Sequence, residues 1–488
     1  MRRVLKVRKD VKARRETAIM KSKKRLSHLQ MEIEPQTSEK ALVRQLTLLP
    51  LFCIIVANMV GSGIFTTSGF IIQDVENPSA MLLCWLIGGL LSLTGGLCYG
   101  ELGAMFPSAG GDYVFLRESF GKQTAFLSGW ISLWVGFSAP IAAVAIAFGN
   151  YFNAVLPMGI QSPKMSSILA VSVIVVFTWV HIQGLGFGSW MQNITTFIKI
   201  LIIVSLIVIG LTWGIGSFQH FEVPLSYSNI FSEKFATSLI FVSFAYSGWN
   251  ASVYVGSEIK NPERNIPASI INATIFVIFI YLLLNIVYVY AIHPKAMSGV
   301  EEIGSMAALN LFGEKIGTFF GLAIALSLLS TVSSMIMIGP RVYYAMACDQ
   351  VFLKIFQSIN RTHRVPSYSI ILQGGISITL VLTSTFYTIL LYTGFMLAIF
   401  SSLTVLGMMV LRWKDPDRRR PYKTWGYPLT PIIFIIGNLW IVIFSVRNNS
   451  TAFMWGLATV AAGWLIYEYF EGWFKNRLIF GKKPKSKS

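Results

Sequence analysis

The sequence predicts an all-α polytopic membrane protein of twelve spans, the first ten arranged as two inverted halves of five. Three observations predict it. The 488 residues are 54% hydrophobic and 13% charged, with a mean hydropathy of +0.61, where soluble domains carry about 25% charged residues. The Lys and Arg residues gather in the connecting segments of one side. Two apolar segments, five spans apart, are interrupted by glycine at matching positions.

The elements follow in order. Residues 1–44 are polar and basic without periodicity and read as a disordered inner tail. The tail is either a topology signal or a segment drawn to anionic lipid headgroups. Residues 1–30 differ in composition from the mildly acidic Met31–Lys40, which makes Met31 a second candidate start. No cleavable signal peptide is expected, because no apolar core precedes residue 45. A span needs roughly 20 apolar residues. Twelve segments meet that length, at 46–72, 78–106, 123–157, 166–184, 190–216, 234–257, 268–293, 314–347, 367–386, 388–413, 428–446 and 452–471. The third and eighth are long enough to predict tilt or turns outside the membrane. The halves are 45–216 and 234–413. Residues 428–471 form two peripheral spans, and 472–488 a basic tail.

The net charge of +18 raises the question of nucleic acid, and its distribution answers it. Of 40 Lys and Arg, 14 precede residue 45, six lie between Arg412 and Lys423, and six follow residue 472. With the N-terminus inside, 33 fall on inner segments and five on outer ones, with Lys199 and Arg341 inside spans. The positive-inside rule explains that bias and puts both termini in the cytoplasm. No nucleic-acid partner is expected. Cys53, Cys84, Cys98 and Cys348 fall in or next to spans, with neither metal-site spacing nor a disulfide framework.

The first span contains Asn58-Met-Val-Gly-Ser-Gly-Ile-Phe65, and the sixth Phe244-Ala-Tyr-Ser-Gly-Trp-Asn250. Glycines loosen a helix, and freed backbone polar groups cost several kcal/mol in lipid unless they line a cavity. A helix-packing notch is the bland reading of either cluster. Two such breaks, one in each of two halves of odd span number, point instead to a transport site between inverted repeats. A half-helix N-terminus offers amides to a carboxylate, and unwound carbonyls face a cation; a free amino acid carries one of each. The amides of Ser62, Gly63 and Ile64 are candidates for its carboxylate. The carbonyls of Met59, Val60, Phe244, Ala245 and Ser247 are candidates for its ammonium group. Phe244 is also a candidate gate, with core packing as the alternative. Asn250 and Trp249 either line the pocket or satisfy the break, and Tyr246, Tyr392 and Phe395 are candidates for the side-chain pocket.

Lys199 lies about one-third of the way along the fifth span. A lysine at that depth is costly unless paired or wet. Its ammonium can occupy the place of a coupling sodium, which would make transport sodium-independent, or it can load and release a proton. Snorkelling to the interface is the alternative. Glu101 reads as a structural ion pair, Glu258 as a gate contact or a helix cap, and His181 and Arg341 as interfacial. No acidic residue is near either break in the sequence, which favours neutral substrates. No nucleophile–base pair, metal cluster, dinucleotide fingerprint or phosphate-binding loop appears, so neither an enzyme nor ATP-driven transport is expected, and no cofactor.

Four stretches resemble the amino acid–polyamine–organocation transporters, within them the L-type amino acid transporter-like group. They are Val60-Gly-Ser-Gly-Ile-Phe65, Gly100-Glu-Leu-Gly-Ala-Met-Phe-Pro-Ser-Ala-Gly-Gly-Asp-Tyr113, Phe244–Asn250 and Glu258-Ile-Lys-Asn-Pro-Glu-Arg-Asn-Ile-Pro267. The resemblance covers roughly residues 45–470. It implies the LeuT-type fold, with spans 1 and 6 unwound at the substrate. It implies carboxylate contacts at Ser62 and Gly63 and amine contacts at the carbonyls of Met59, Phe244 and Ser247. It also implies an outer gate at Phe244, Lys199 in the former sodium position, and amino acid exchange without sodium. Two departures matter. Relatives that pair with a single-span glycoprotein carry a cysteine between spans 3 and 4, and residues 158–165 hold none, so no disulfide-linked heavy subunit is expected. Ser247 stands where many relatives have glycine. The expected function is a sodium-independent exchanger of neutral L-amino acids. A proton-coupled amino acid or polyamine importer, with Lys199 or Glu101 as the proton site, is the alternative, and a nutrient sensor on the same fold is a third.

Overall fold

The computed structural model describes residues 42–480 apart from 158, 225–231, 361 and 449. Most of the two expected tails lies outside the described residues. The elements are α1 (Leu48–Met59), α2 (Ser62–Val75), α3 (Pro78–Met105), α4 (Asp112–Phe120), α5 (Lys122–Ile131), α6 (Ala139–Ala154), α7 (Pro163–Ile182), α8 (Leu185–Trp213), α9 (Glu233–Tyr246), α10 (Pro262–Ala291), α11 (Ile303–Ile338), α12 (Pro340–Cys348), α13 (Ser367–Thr383), α14 (Phe386–Lys414), α15 (Leu429–Asn448) and α16 (Ser450–Phe480).

The chain is all-α. Among the described residues eight helical segments are long and apolar enough to cross a membrane, with α1 and α2 counted as one. Two shorter apolar helices, Ser367–Thr383 and Leu429–Phe444, match the ninth and eleventh expected segments. The sixth is shorter than expected, because α9 stops after 14 residues. Of the two long segments, the third is irregular inside and the eighth is preceded by a break. A π-helical stretch, Ser132–Ser138, joins α5 to α6, and α11 breaks at Gly313, where φ is +77°.

Local chemistry starts the helices. Asn77 caps α3 by accepting from the Ala80 amide at 3.0 Å, and Pro78 needs no partner at N1. Ser162 caps α7 through the Met165 amide at 3.1 Å, and Ser232 caps α9 through the Phe235 amide at 3.1 Å. Packing then sorts the helices. The apolar windows of α1–α2, α5–α6 and α11–α12 are 78%, 83% and 83% buried, against 33% for α7 and α8. The centre is therefore α1, α2, α6, α9 and α11, with α10 laid across α1 and α3. At one end of the bundle Leu46 bonds through its amide to the Glu258 carbonyl and accepts from the Lys260 amide, both at 2.9 Å. That end also carries Asp112, Arg341, Asp349 and Arg412.

Candidate functional site

The first break falls where glycine and serine interrupt the apolar run. Helix α1 ends at Met59, Val60 turns, and Gly61 caps α2 with extended backbone. The amides of Ser62, Gly63 and Ile64 therefore open a helix and have no partner within it. The Ser62 hydroxyl is buried and has no hydrogen-bond partner.

The second break is tighter. Helix α9 ends at Tyr246, Ser247 is extended, and Gly248 takes φ +98°. Two 3-10 segments, Ala251–Tyr254 and Gly256–Glu258, replace the expected helix. The two breaks interlock. A Cβ on Gly248 would fall 2.6 Å from the Asn58 Cβ, and one on Gly63 2.5 Å from the Ala245 Cα. Each break thus uses a glycine to let the other chain approach.

The carbonyls freed at the breaks are largely engaged by the protein. The Tyr281 hydroxyl lies 2.5 Å from the Met59 carbonyl and 2.9 Å from the Ala245 carbonyl and shares its one hydrogen between them. The Phe244 carbonyl accepts from the Ser247 amide at 3.0 Å. The Val60 carbonyl accepts from Lys199 Nζ and from Thr331 Oγ1, the latter at 3.0 Å. Lys199 itself is 0% exposed. Its ammonium also donates to the Ala57 carbonyl at 3.2 Å and to Thr331 Oγ1 at 2.6 Å. An ammonium group has three hydrogens, and here each has an oxygen. The side chain points at the unwound turn of α1 and does not snorkel to a surface.

Beside the breaks lies a cavity of about 90 Å³, room for several waters. Its wall includes Asn58, Ser92, Asp112, Ser247, Asn250 and Tyr254, and the π stretch contributes Ser132, Gly136 and Phe137. Of the expected substrate contacts, Ser247 and Asn250 line it, as does Trp249. Met59, Val60, Ser62, Gly63, Ile64, Phe244 and Ala245 do not, because α2 and α9 are packed together at that point. Phe244 is buried, with its Cβ 3.9 Å from where a Cβ on Gly394 would stand. Tyr392 and Phe395 face α16 instead, bonding Thr459 at 2.5 Å and packing on Phe453. Tyr246 packs edge-on against Trp85 and at a tilt against Tyr281 behind the break.

Three expectations need correction. Arg341 and His181 are not interfacial. Arg341 is 1% exposed and makes a two-pronged pair with Glu258 at 2.9 and 3.2 Å, and His181 meets the Ser333 hydroxyl at 2.9 Å. Burial is possible because each has a polar partner on another element. Second, an acidic residue does stand near a break. Asp112 lines the cavity and accepts from Asn250 at 3.5 Å, although 138 positions separate the two. Two glycines with positive φ, Gly110 and Gly111, turn the chain to start α4 there. The Gly-Gly-Asp triplet was the available signal. Third, of the two readings of Glu258, a gate contact or a helix cap, the cap is not found; the carboxylate is half of a buried pair with Arg341. Glu101 is an ion pair as its position suggested, held by Arg412, by Arg420 at 3.4 Å and by the Thr424 amide at 2.7 Å. Thr331, Tyr281 and the π stretch carried no signal beyond their residue types.

The sequence model of a family described as "Amino acid permease" matches residues 46–466. The large neutral amino acids transporter small subunit 2 of Mus musculus is 30% identical over 437 residues, covering 88% of this chain and 81% of that one. The b(0,+)-type amino acid transporter 1 of Mus musculus is 28% identical over 440 residues, with 88% of each covered. The Asc-type amino acid transporter 1 of Homo sapiens is 28% identical over 443 residues, covering 88% and 83%.

Proposed function

This chain belongs to the amino acid permease family, and from that premise we propose that it exchanges neutral L-amino acids across a membrane by alternating access, without sodium. The family is one of multi-pass membrane transporters, not of enzymes, and implies the LeuT-type fold. In that fold the two halves, 45–216 and 234–413, are inverted repeats, both termini are cytoplasmic, and α1–α2 and α9 are the broken helices.

The observation that carries the proposal is the Lys199 ammonium on the carbonyls of Ala57 and Val60 and the hydroxyl of Thr331. Unwound carbonyls and a hydroxyl are the oxygen ligands a sodium ion would take. The Lys199 side chain fills that place and leaves no room for one. Substrate carboxylate then goes to the amides of Ser62, Gly63 and Ile64 once α2 and α9 part. Its ammonium goes to carbonyls of Met59, Phe244, Ala245 and Ser247 exposed in the same movement, with Val60, held by Lys199 and Thr331, and Asn250 beside them and Phe244 closing over. The neutral preference draws on a relative named for large neutral amino acids. The chain acts without a disulfide-linked heavy subunit, in keeping with a cysteine-free 158–165 segment. A proton-driven importer using Lys199 or Glu101 is less well supported, since both are fully engaged in hydrogen bonds.

Uptake of labelled leucine into proteoliposomes tests this. Uptake only into vesicles preloaded with amino acid, equal with and without sodium, is expected. Sodium-driven uptake into empty vesicles would overturn it.

A further inference from the structure

Asp112 is 8% exposed, and among the described residues it takes part in no ion pair. Nearby cations are committed elsewhere. Arg117, on the same helix, is held by Asp349 at 2.6 Å and Glu118 at 3.0 Å. Arg412 and Arg420 are held by Glu101, and Arg341 by Glu258. The titratable groups that face Asp112 are Tyr99 of α3 and Tyr254 of the first 3-10 segment, with Tyr343 of α12 next to Tyr254.

Four donors, one on α3, one on α14 and two on the first 3-10 segment and the turn that starts it, converge on this carboxylate. Oδ1 accepts from the Tyr99 hydroxyl and from Thr404 of α14 at 2.9 Å. Oδ2 accepts from Tyr254 at 2.5 Å and from Asn250 at 3.5 Å. A carboxylate offers about four lone pairs, so this one is saturated. A basic substrate side chain would find no free acceptor. A proton is different. Three of the four donors are hydroxyls, which accept as well as donate. Thr404 can turn round when the carboxyl gains a hydrogen, because its own hydrogen then goes to the Phe400 carbonyl at 3.0 Å, and no group is left unpaired. The change is not neutral in strength, because bonds to an ionised acceptor are roughly twice as strong as those to a neutral one.

We propose that Asp112 is a proton-binding site in the wall of the cavity, and that protonating it loosens Tyr254 and Thr404 and so eases opening of the cavity at the Leu46–Glu258 end. The coupling to opening rests on the transporter reading above; the proton site does not. Burial pushes the carboxyl above its ordinary range, and the bonds from Tyr254, Tyr99 and Thr404 pull it back. Tyr254 and Thr404 also stand on elements that bear the cavity wall, while Asp112 starts a separate helix. One proton therefore acts on contacts among three elements.

The test uses the full chain in liposomes, with the same pH on both sides, stepped from about pH 5 to about pH 8. Leucine exchange by the wild type is expected to rise severalfold towards acid, and Asp112→Asn to flatten that profile. Tyr254→Phe removes a donor that favours the anion and should move the midpoint up by about one to two pH units. An unchanged profile in Asp112→Asn overturns the proposal. Infrared difference spectra of the purified protein between the same pH values read the proton without transport. A protonated-carboxyl band present in the wild type and missing in Asp112→Asn supports the site, and its persistence overturns it. Should Asp112→Asn fail to fold, an unmoved band midpoint in Tyr254→Phe overturns it equally. Absence of leucine exchange at every pH with the band intact would sink the transporter reading and leave the proton site standing.

Discussion

The Lys199 ammonium donates to the Val60 carbonyl across 139 positions of chain, and so ties α8 to the turn that separates α1 from α2. Removing the ammonium leaves the buried Ala57 carbonyl without its side-chain donor and the Val60 carbonyl with Thr331 alone. Lys199→Ala should lower leucine exchange at least roughly tenfold, about 1.4 kcal/mol of lost stabilisation of the rate-limiting state. Lys199→Met, which keeps the stem, should do the same. Wild-type rates in Lys199→Met liposomes would show that the charge is dispensable.

Gly248 and Gly63 are needed for two different reasons. At Gly248 the backbone is left-handed and Asn58 fills the space of a side chain. Gly248→Ala should therefore cost about 1–3 kcal/mol by overpacking, and roughly 1 kcal/mol or more by backbone strain. At Gly63 only the close approach to Ala245 applies, so Gly63→Ala should fall nearer the lower end. Thermal unfolding of detergent-purified variants checks the order, and equal losses would contradict it.

Glu258 and Arg341 bury opposite charges against one another. Arg341→Met strands the carboxylate and should destabilise by about 3–5 kcal/mol. The double variant Arg341→Met with Glu258→Gln should regain much of that loss, since neither charge then remains. A double-mutant cycle on unfolding midpoints measures the recovery. Additive losses would mean that the two residues do not act as a pair.

Glu302, just before α11, has its carboxyl held above the ordinary 4.5, first by burial and then by the neighbouring Glu301. The native state thus binds the proton more tightly than the unfolded chain. Its contribution to stability is present below the ordinary value and is lost as pH rises through the native one. Glu302→Gln should remove that loss, so its stability advantage over the wild type should grow from acid to neutral pH. A constant difference would rule the effect out.

Much of this molecule was legible because the relevant physics is local. Hydropathy sums over one segment, and so it located most of the apolar helices within a few residues, the ends of the sixth, eighth and twelfth excepted. The breaks at Val60–Gly61 and Ser247–Gly248 were legible because a glycine loosens its own turn whatever surrounds it. Lys199 stood out because burying an ammonium is costly in any apolar segment. The 3-10 form of the second half of the sixth segment was not legible, since it depends on contacts of Ala109 and Gly110 with that stretch.

By itself the sequence determined that this is an all-α chain of apolar helices, two of them broken, with one lysine buried among them. Only the tertiary structure decided which oxygen each buried hydrogen meets. It engaged the carbonyls of Met59 and Ala245 through Tyr281, gave Lys199 its partner Thr331, and set Asp112 in the cavity wall between Tyr99, Tyr254 and Thr404. Apolar burial is non-directional and follows from composition. A hydrogen bond needs two groups within about 3 Å and in line, and for residues more than a hundred positions apart only the packing of the helices sets that.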